Sequence, residues 1–467
     1  MKKTLLATFM VALLATLPAA AQVDMTMYVA LGDSLTAGFA SGGLMQFYQE
    51  RSYPAMLAQQ ASAPDFQMPL VSEPGIPPLM VLQALAPRPV IGPITSVPGN
   101  PLNATLPRPY NNLGVPGATT FDLLTTTGDI QNLLAGNTDN VMHDLILRFP
   151  VFPGTETPAP AIAQAIALDP TFVTMWIGNN DILGAAIYAT PVDGVTMTPV
   201  AMFEGYYQNA LGALVTSTTA DIVVFTIPDV TAIPFVTTIA PYLDVPGVGQ
   251  VPLIGSGPPG GTPGPLPADA YVTLYASSLM AQGIGIPVEL GGTGQPLPED
   301  MQVVGTEVYP GVVLRAEEVA VISDRIAELN TIIRDTAATF GAAVFDINAI
   351  FRSIAAEGAG PFGGIELSSD FLTGGIFSYD GVHPQNIGSG LVALELIDFL
   401  NAELGADIPQ VNMDQVLCTG GCADQGPPSG ASFKDAVFSQ DAMRQLEQAF
   451  PLVGWPRPHL DDSSHAE

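Results

Sequence analysis

Short continuous apolar runs alternate along this chain with longer stretches whose apolar residues recur at helical spacing. The run Met25-Thr26-Met27-Tyr28-Val29-Ala30-Leu31 stops at Gly32 and reads as a buried strand. Phe172 to Ile177 is a second such run, closed by Gly178, and Asp221 to Ile227 a third, halted by Pro228. Ala342 to Ile347 is a fourth. Met202 to Leu214 carries helical spacing ahead of the third run. Glu317 to Phe340 does so ahead of the fourth, with Val321, Ile326, Leu329, Ile332 and Ile333 expected on one apolar face. Gly388 to Leu404 supplies a last amphipathic helix. Strands alternating with helices predict βαβ units, a mainly parallel sheet and an α/β fold.

Two stretches break the pattern. Residues 63–110 are rich in proline, and residues 241–312 in proline and glycine. Loops this long inside a compact domain read as insertions, which either fold over a site as a cap or decorate the surface. The chain opens with Lys2 and Lys3, an apolar run from Leu5 to Leu17 and the small residues Ala19-Ala20-Ala21, the pattern of a secretory signal cleaved before Gln22. An uncleaved anchor is the alternative, but the run falls short of the ~20 apolar residues a membrane span needs. No cysteine follows to carry a lipoprotein anchor, and no later stretch is long and apolar enough to span. The expected organisation is therefore a signal over 1–21, one main domain over 22–405 with its two insertions, and a polar tail over 406–467. That tail is either flexible or an attachment to the cell surface. A secreted or periplasmic location follows from the signal.

Composition narrows the partners. With 44 acidic residues against 13 basic ones, the net charge is −31, which excludes nucleic acid because phosphate binding needs Lys and Arg. The same balance disfavours anionic membrane surfaces. The two cysteines, Cys418 and Cys422, lie in Cys-Thr-Gly-Gly-Cys; in an exported chain the natural reading is a local disulfide, since no other cysteine or histidine lies nearby in sequence to complete a metal site.

The chemistry gathers around Gly32-Asp33-Ser34-Leu35. Gly32 and Asp33 end the first strand and place Ser34 at its carboxyl end, where ligands collect in α/β sheets. A serine hydroxyl needs a base beside it, and that base needs an orienting acceptor. Of the four histidines, His459 and His465 fall in the tail and His143 is expected on a helix edge. His383 lies in Tyr379-Asp380-Gly381-Val382-His383-Pro384, where a three-residue spacing around a turn can bring Asp380 to one ring nitrogen and leave the other facing outward. Two further segments offer oxyanion donors: Asn112-Leu113-Gly114-Val115-Pro116-Gly117-Ala118-Thr119, a glycine-bearing turn before a helix, and Gly178-Asn179-Asn180-Asp181 at a strand end. Each taken alone is also explained as a helix start or a β-turn. Gly-x-Ser-x-Gly, the nucleophile elbow of another hydrolase fold, does not occur.

Together and in this order, the four segments resemble the blocks of the GDSL-type hydrolases of the SGNH superfamily, over roughly residues 25–403. The resemblance implies a flavodoxin-like three-layer α/β/α sandwich. It implies Ser34 as nucleophile, His383 as general base and then acid, and Asp380 as its orienting partner. It also implies an oxyanion hole from the Ser34 N–H, the Gly117 N–H and the Asn180 side chain, with Gly114 as the alternative glycine. Asp33 is expected to hold the turn through backbone N–H groups; Asp181 has no assigned role.

The reaction so implied is ester hydrolysis through an acyl-enzyme, with no metal or organic cofactor required. Its substrate would be a small-molecule or lipid ester. An acetylated carbohydrate remains open, although only Trp176 and Trp455 exist and Trp176 falls in an expected buried strand, so no row of tryptophans marks a glycan cleft. Two competing readings keep the same residues: a surface binding protein on this scaffold, and an O-acyltransferase using the same triad.

Overall fold

The computed structural model describes residues 23–84, 88–137, 140–149, 158–304, 307–362, 365–418, 436–450 and 452. The expected signal, Cys422, His459 and His465 lie outside them, and so does the pairing proposed for Cys418 and Cys422.

Five parallel strands form the central sheet: β1 (Tyr28–Gly32), β2 (Asn112–Gly114), β3 (Phe172–Trp176), β4 (Asp221–Phe225) and β5 (Ala343–Phe345). Their spatial order is β2-β1-β3-β4-β5, the flavodoxin-like order. Helices cover both faces. On one side α3 (Thr120–Thr125), α4 (Ala161–Ala167), α6 (Val200–Ser217) and α7 (Ala316–Phe340) pack together; on the other α2 (Tyr53–Gln60) packs on α9 (Asn386–Glu403). The mainly parallel sheet expected from the alternation and the three-layer α/β/α sandwich implied by the resemblance are the fold observed. The strand residues of β1 and β3 are buried throughout, and Trp176 stacks on Phe225 with ring centroids 5.1 Å apart.

The differences from the sequence reading have local causes. Met25–Met27 does not extend β1: the Asp24 carboxylate accepts the Thr26 N–H and holds these residues in a turn. β2 stands where the sequence predicts only a glycine-bearing turn. Asn and Gly have low strand propensity, yet pairing with β1 and the Asn112 amide, which donates to the Thr36 carbonyl, override it. On α7 the buried stripe is Ile322, Ile326, Leu329 and Ile333, while Val321 is 46% exposed. The stripe follows i, i+4, i+7, i+11, and Val321 sits one position off it. His143 is buried rather than at a helix edge, with its Nε2 4.0 Å from Asp122 Oδ1.

Parts of the two expected insertions and residues 436–450 meet near the carboxyl edge of the sheet. In the first insertion, Met80–Ala84 pairs with Val90–Pro93, and Val437–Phe438 adds to Val90–Ile91 as a third strand. From the second, Ser277 Oγ accepts the Phe438 N–H at 3.1 Å. Helix α10 (Gln440–Ala449) follows directly.

Gly32 shows how tightly β1 is held. A Cβ there would collide with Thr36 Oγ1 and with the Trp176 carbonyl oxygen, the latter fixed in the neighbouring strand. Gly32→Ala is therefore expected to lower the unfolding free energy by about 1–3 kcal/mol through overpacking. Urea denaturation of the purified variant checks this, and an unchanged midpoint would contradict it.

Candidate active site

Three strand ends deliver the site. β1 ends at Gly32, and Asp33 caps the short helix α1 (Ser34–Ala37) by accepting the Leu35 N–H at 3.0 Å. This bond fulfils the turn-holding role expected of Asp33 and sets Ser34 as the first helical residue. After β2, Val115-Pro116-Gly117-Ala118 closes a type II turn, with the Ala118 N–H on the Val115 carbonyl at 3.0 Å and Gly117 at φ +79°, where glycine is favoured. After β3, Asn180 begins α5 (Asn180–Ile187). β2 lies on one side of β1 and β3 on the other, so the serine sits at the point where the strand order reverses.

The acid and the imidazole come from a loop just before α9. Phe377 and Pro384 bridge across it, and the Ser378 N–H donates to the His383 carbonyl at 2.8 Å. Within this closed loop Asp380 Oδ1 accepts the N–H groups of Val382 (2.9 Å) and His383 (2.8 Å) and the Ser378 hydroxyl (3.1 Å). Asp380 Oδ2 lies 3.0 Å from His383 Nδ1 and accepts the Gly42 N–H at 2.9 Å. His383 Nε2 lies 2.9 Å from Ser34 Oγ. The structure thus brings Ser34, His383 and Asp380 into one continuous line. All three are buried, at 5%, 1% and 0% exposure.

The expected oxyanion donors lie on the flanking turns. Neither the Ser34 N–H nor the Gly117 N–H has an acceptor among the described residues. The Gly114 N–H, by contrast, is taken by Asn112 Oδ1 at 3.0 Å, which favours Gly117 over Gly114. Asn180 Nδ2 donates one hydrogen to the Ala118 carbonyl at 2.9 Å, tethering the amide to the turn that carries Gly117 and leaving its second hydrogen for another acceptor.

Two further buried aspartates, Asp33 and Asp181, flank this line, and burial acts on them differently from Asp380. Burial alone would raise the Asp380 carboxyl, but the facing imidazole of His383 and the converging donors hold it below its ordinary value. Burial pushes Asp33 up to about 6 against the bonds from the Asn179 amide and the Leu35 N–H. Burial likewise pushes Asp181 up to about 7, although the Thr120 N–H and hydroxyl both donate to it. Those two bonds tie α5 to the start of α3 and give Asp181 a structural role.

Several site residues carry no sequence signature. Ser41 and Gly42, in the tight turn between Phe39–Ala40 and Gly43–Leu44, reach Ser378 and Asp380. Only their glycine-rich setting hints at a turn. Phe39 and Phe450 lie against the imidazole, at centroid distances of 4.8 and 5.6 Å. Among the described residues no group of three or more His, Cys, Asp or Glu side chains could hold a metal ion, and no helix is long and apolar enough to cross a membrane.

The family model described as GDSL-like Lipase/Acylhydrolase matches residues 28–396. Among curated proteins none matches the chain. Among solved structures the chain is similar to LAE5, an alpha/beta hydrolase enzyme from the metagenome of Lake Arreo, Spain, with 14% identity and a TM-score of 0.32, covering 81% of this chain and 94% of that one. It is similar also to phospholipase A1 from Streptomyces albidoflavus NA297 and to an extracellular lipase from Streptomyces rimosus. Each has 14% identity and a TM-score of 0.30, covering 80% of this chain and 98% of the other. Likenesses this slight assign nothing further to this chain.

Asp181 gives the site a pH signature. An aspartate in the unfolded chain loses its proton near its ordinary value of 3.8, whereas the folded carboxyl keeps it to about 7. Between those values the folded state binds more protons than the unfolded state, so stability falls as pH rises and the fall is complete above pH 7. Asp181→Asn is expected to show a shallower decline of melting temperature across this window than wild type. Parallel declines in the two proteins would contradict the assignment.

Proposed function

The chain belongs to the GDSL-like lipase/acylhydrolase family and is a serine hydrolase of ester bonds; on that premise we propose that it cleaves carboxylic esters through an acyl-enzyme on Ser34. Ser34 Oγ attacks the ester carbonyl while His383 Nε2 accepts its proton. Asp380 holds the imidazole by Nδ1 and stabilises the imidazolium that forms. The developing oxyanion meets the N–H groups of Ser34 and Gly117 and the second amide hydrogen of Asn180. The imidazolium then protonates the leaving alcohol, and a water repeats the sequence on the acyl-enzyme. The observation that carries this reading is the pair of contacts at 3.0 and 2.9 Å that joins carboxylate, imidazole and hydroxyl.

The substrate we favour is a lipid-like or aryl ester. Phe39 and Phe450 on the imidazole make the surroundings apolar, which suits an acyl chain better than a hydrated sugar. The basic start, apolar run and small-residue site at the N-terminus support export, and with it action outside the cytoplasm.

Hydrolysis of p-nitrophenyl esters from acetate to palmitate tests the reading. Wild type is expected to turn them over with a preference beyond acetate. Ser34→Ala should lose activity by on the order of 10⁴-fold or more. Asn180→Ala should lose roughly 10²–10³-fold, mainly in kcat, because the oxyanion exists only after attack. A folded wild type inactive on every chain length, or an undiminished Ser34→Ala variant, would overturn it.

A further inference from the structure

The segment Ala436–Phe450 touches the site at two points. Val437–Phe438 is tied into the small sheet of the first insertion, and α10 runs from there to the site, capped by the Ser439 hydroxyl on the Ala442 N–H. Midway along it Gln445 is 7% exposed, and its Nε2 donates to the carbonyls of Gly42 (2.8 Å) and Pro78 (2.7 Å). Gly42 in turn donates its own N–H to Asp380 Oδ2, the oxygen that faces His383 Nδ1. Just past the helix the Phe450 ring lies 5.6 Å from the imidazole at an interplanar angle of 8°. The Phe450 carbonyl accepts the Tyr188 hydroxyl at 3.2 Å, which anchors the backbone that carries the ring.

We propose that this C-terminal segment is part of the catalytic apparatus, with Phe450 and Gln445 as positioning residues for the Asp380–His383 pair. The inference rests on the role proposed above for that pair. A general base must keep its ring in the plane that contains both the carboxylate oxygen and the serine oxygen. Hydrogen bonds at the two nitrogens fix that ring along one axis and leave it free to rock about the line between them. Phe39 (tilted 58°) and Phe450 (near parallel) lie against the ring and restrict the rocking. Gln445 acts one bond further back. Both hydrogens of its amide are used on the two carbonyls, so the turn bearing Gly42 is held at the distance at which its N–H reaches Asp380. Distant misplacement of a reacting group by about 1 Å can cost on the order of 10²-fold in rate.

The test uses the full-length chain with Phe450→Ala, Phe450→Leu and Gln445→Met, the last close in shape but without donors. Phe450→Ala and Gln445→Met are expected to lower kcat on a p-nitrophenyl ester by roughly 10–100-fold with KM nearly unchanged. Phe450→Leu should recover the melting temperature but not kcat, because it restores apolar volume without a flat face. A kcat close to wild type in both Phe450→Ala and Gln445→Met, or a loss that follows melting temperature and is restored by leucine, overturns the proposal. Carbon-13 labelling of histidine gives a readout independent of turnover. The His383 ring protons, identified by their loss in His383→Gln, should move in Phe450→Ala as the ring current is removed. Unmoved signals overturn the proposal. A wild type without esterase activity refutes the functional reading instead, and the imidazole signals still judge the seating of Phe450.

Discussion

An ionised carboxylate out of contact with water is unfavourable by several kcal/mol unless donors replace its hydration. Asp380 meets that condition only because distant segments converge on it. Its oxygens accept from Gly42, Ser378, Val382 and the backbone of His383, besides facing the imidazole. The loop before α9 supplies the local donors. The turn at Ser41 and Gly42, more than three hundred residues earlier, supplies the rest. Folding of the whole domain is thus a precondition for one charged side chain, and that side chain in turn fixes the imidazole on which the proposed chemistry depends.

The contrast with Asp33 and Asp181 shows what decides charge in this interior. All three carboxyls are fully buried. Asp33 and Asp181 have fewer donors and no hydrogen bond to the imidazole, and burial raises both. Asp380 has more donors and an adjacent imidazole, and stays below its ordinary value. The same residue type therefore serves two ends within one site. Asp33 caps α1 and Asp181 ties α5 to the start of α3, whereas Asp380 holds the His383 imidazole.

Much of this was legible in the sequence because it is local. The apolar runs of β1, β3, β4 and β5 mark their own strands, and Asp380 and His383 sit three residues apart on one turn. The serine, the Gly117 turn and Asn180 each follow a strand end, so the parallel topology brings them together. What escaped depends on contacts between residues far apart in the chain. β2 is a strand only because β1 pairs with it. Phe450 and Gln445 stand in a stretch whose composition reads as a polar tail, and their partners lie near residues 42 and 383. No periodicity within a window of a few turns can register such a contact. Val321 is a smaller case of the same limit: helical spacing alone admits either it or Ile322, and the packing against the sheet selects Ile322.

The most direct measurement of the central claim, that Asp380 and His383 activate Ser34, is covalent labelling by a fluorophosphonate followed by peptide mass mapping. The account predicts a single adduct on Ser34 in wild type, with labelling strongly slowed in His383→Ala. An adduct on a different serine, or labelling of Ser34 at an unchanged rate without the imidazole, would contradict it.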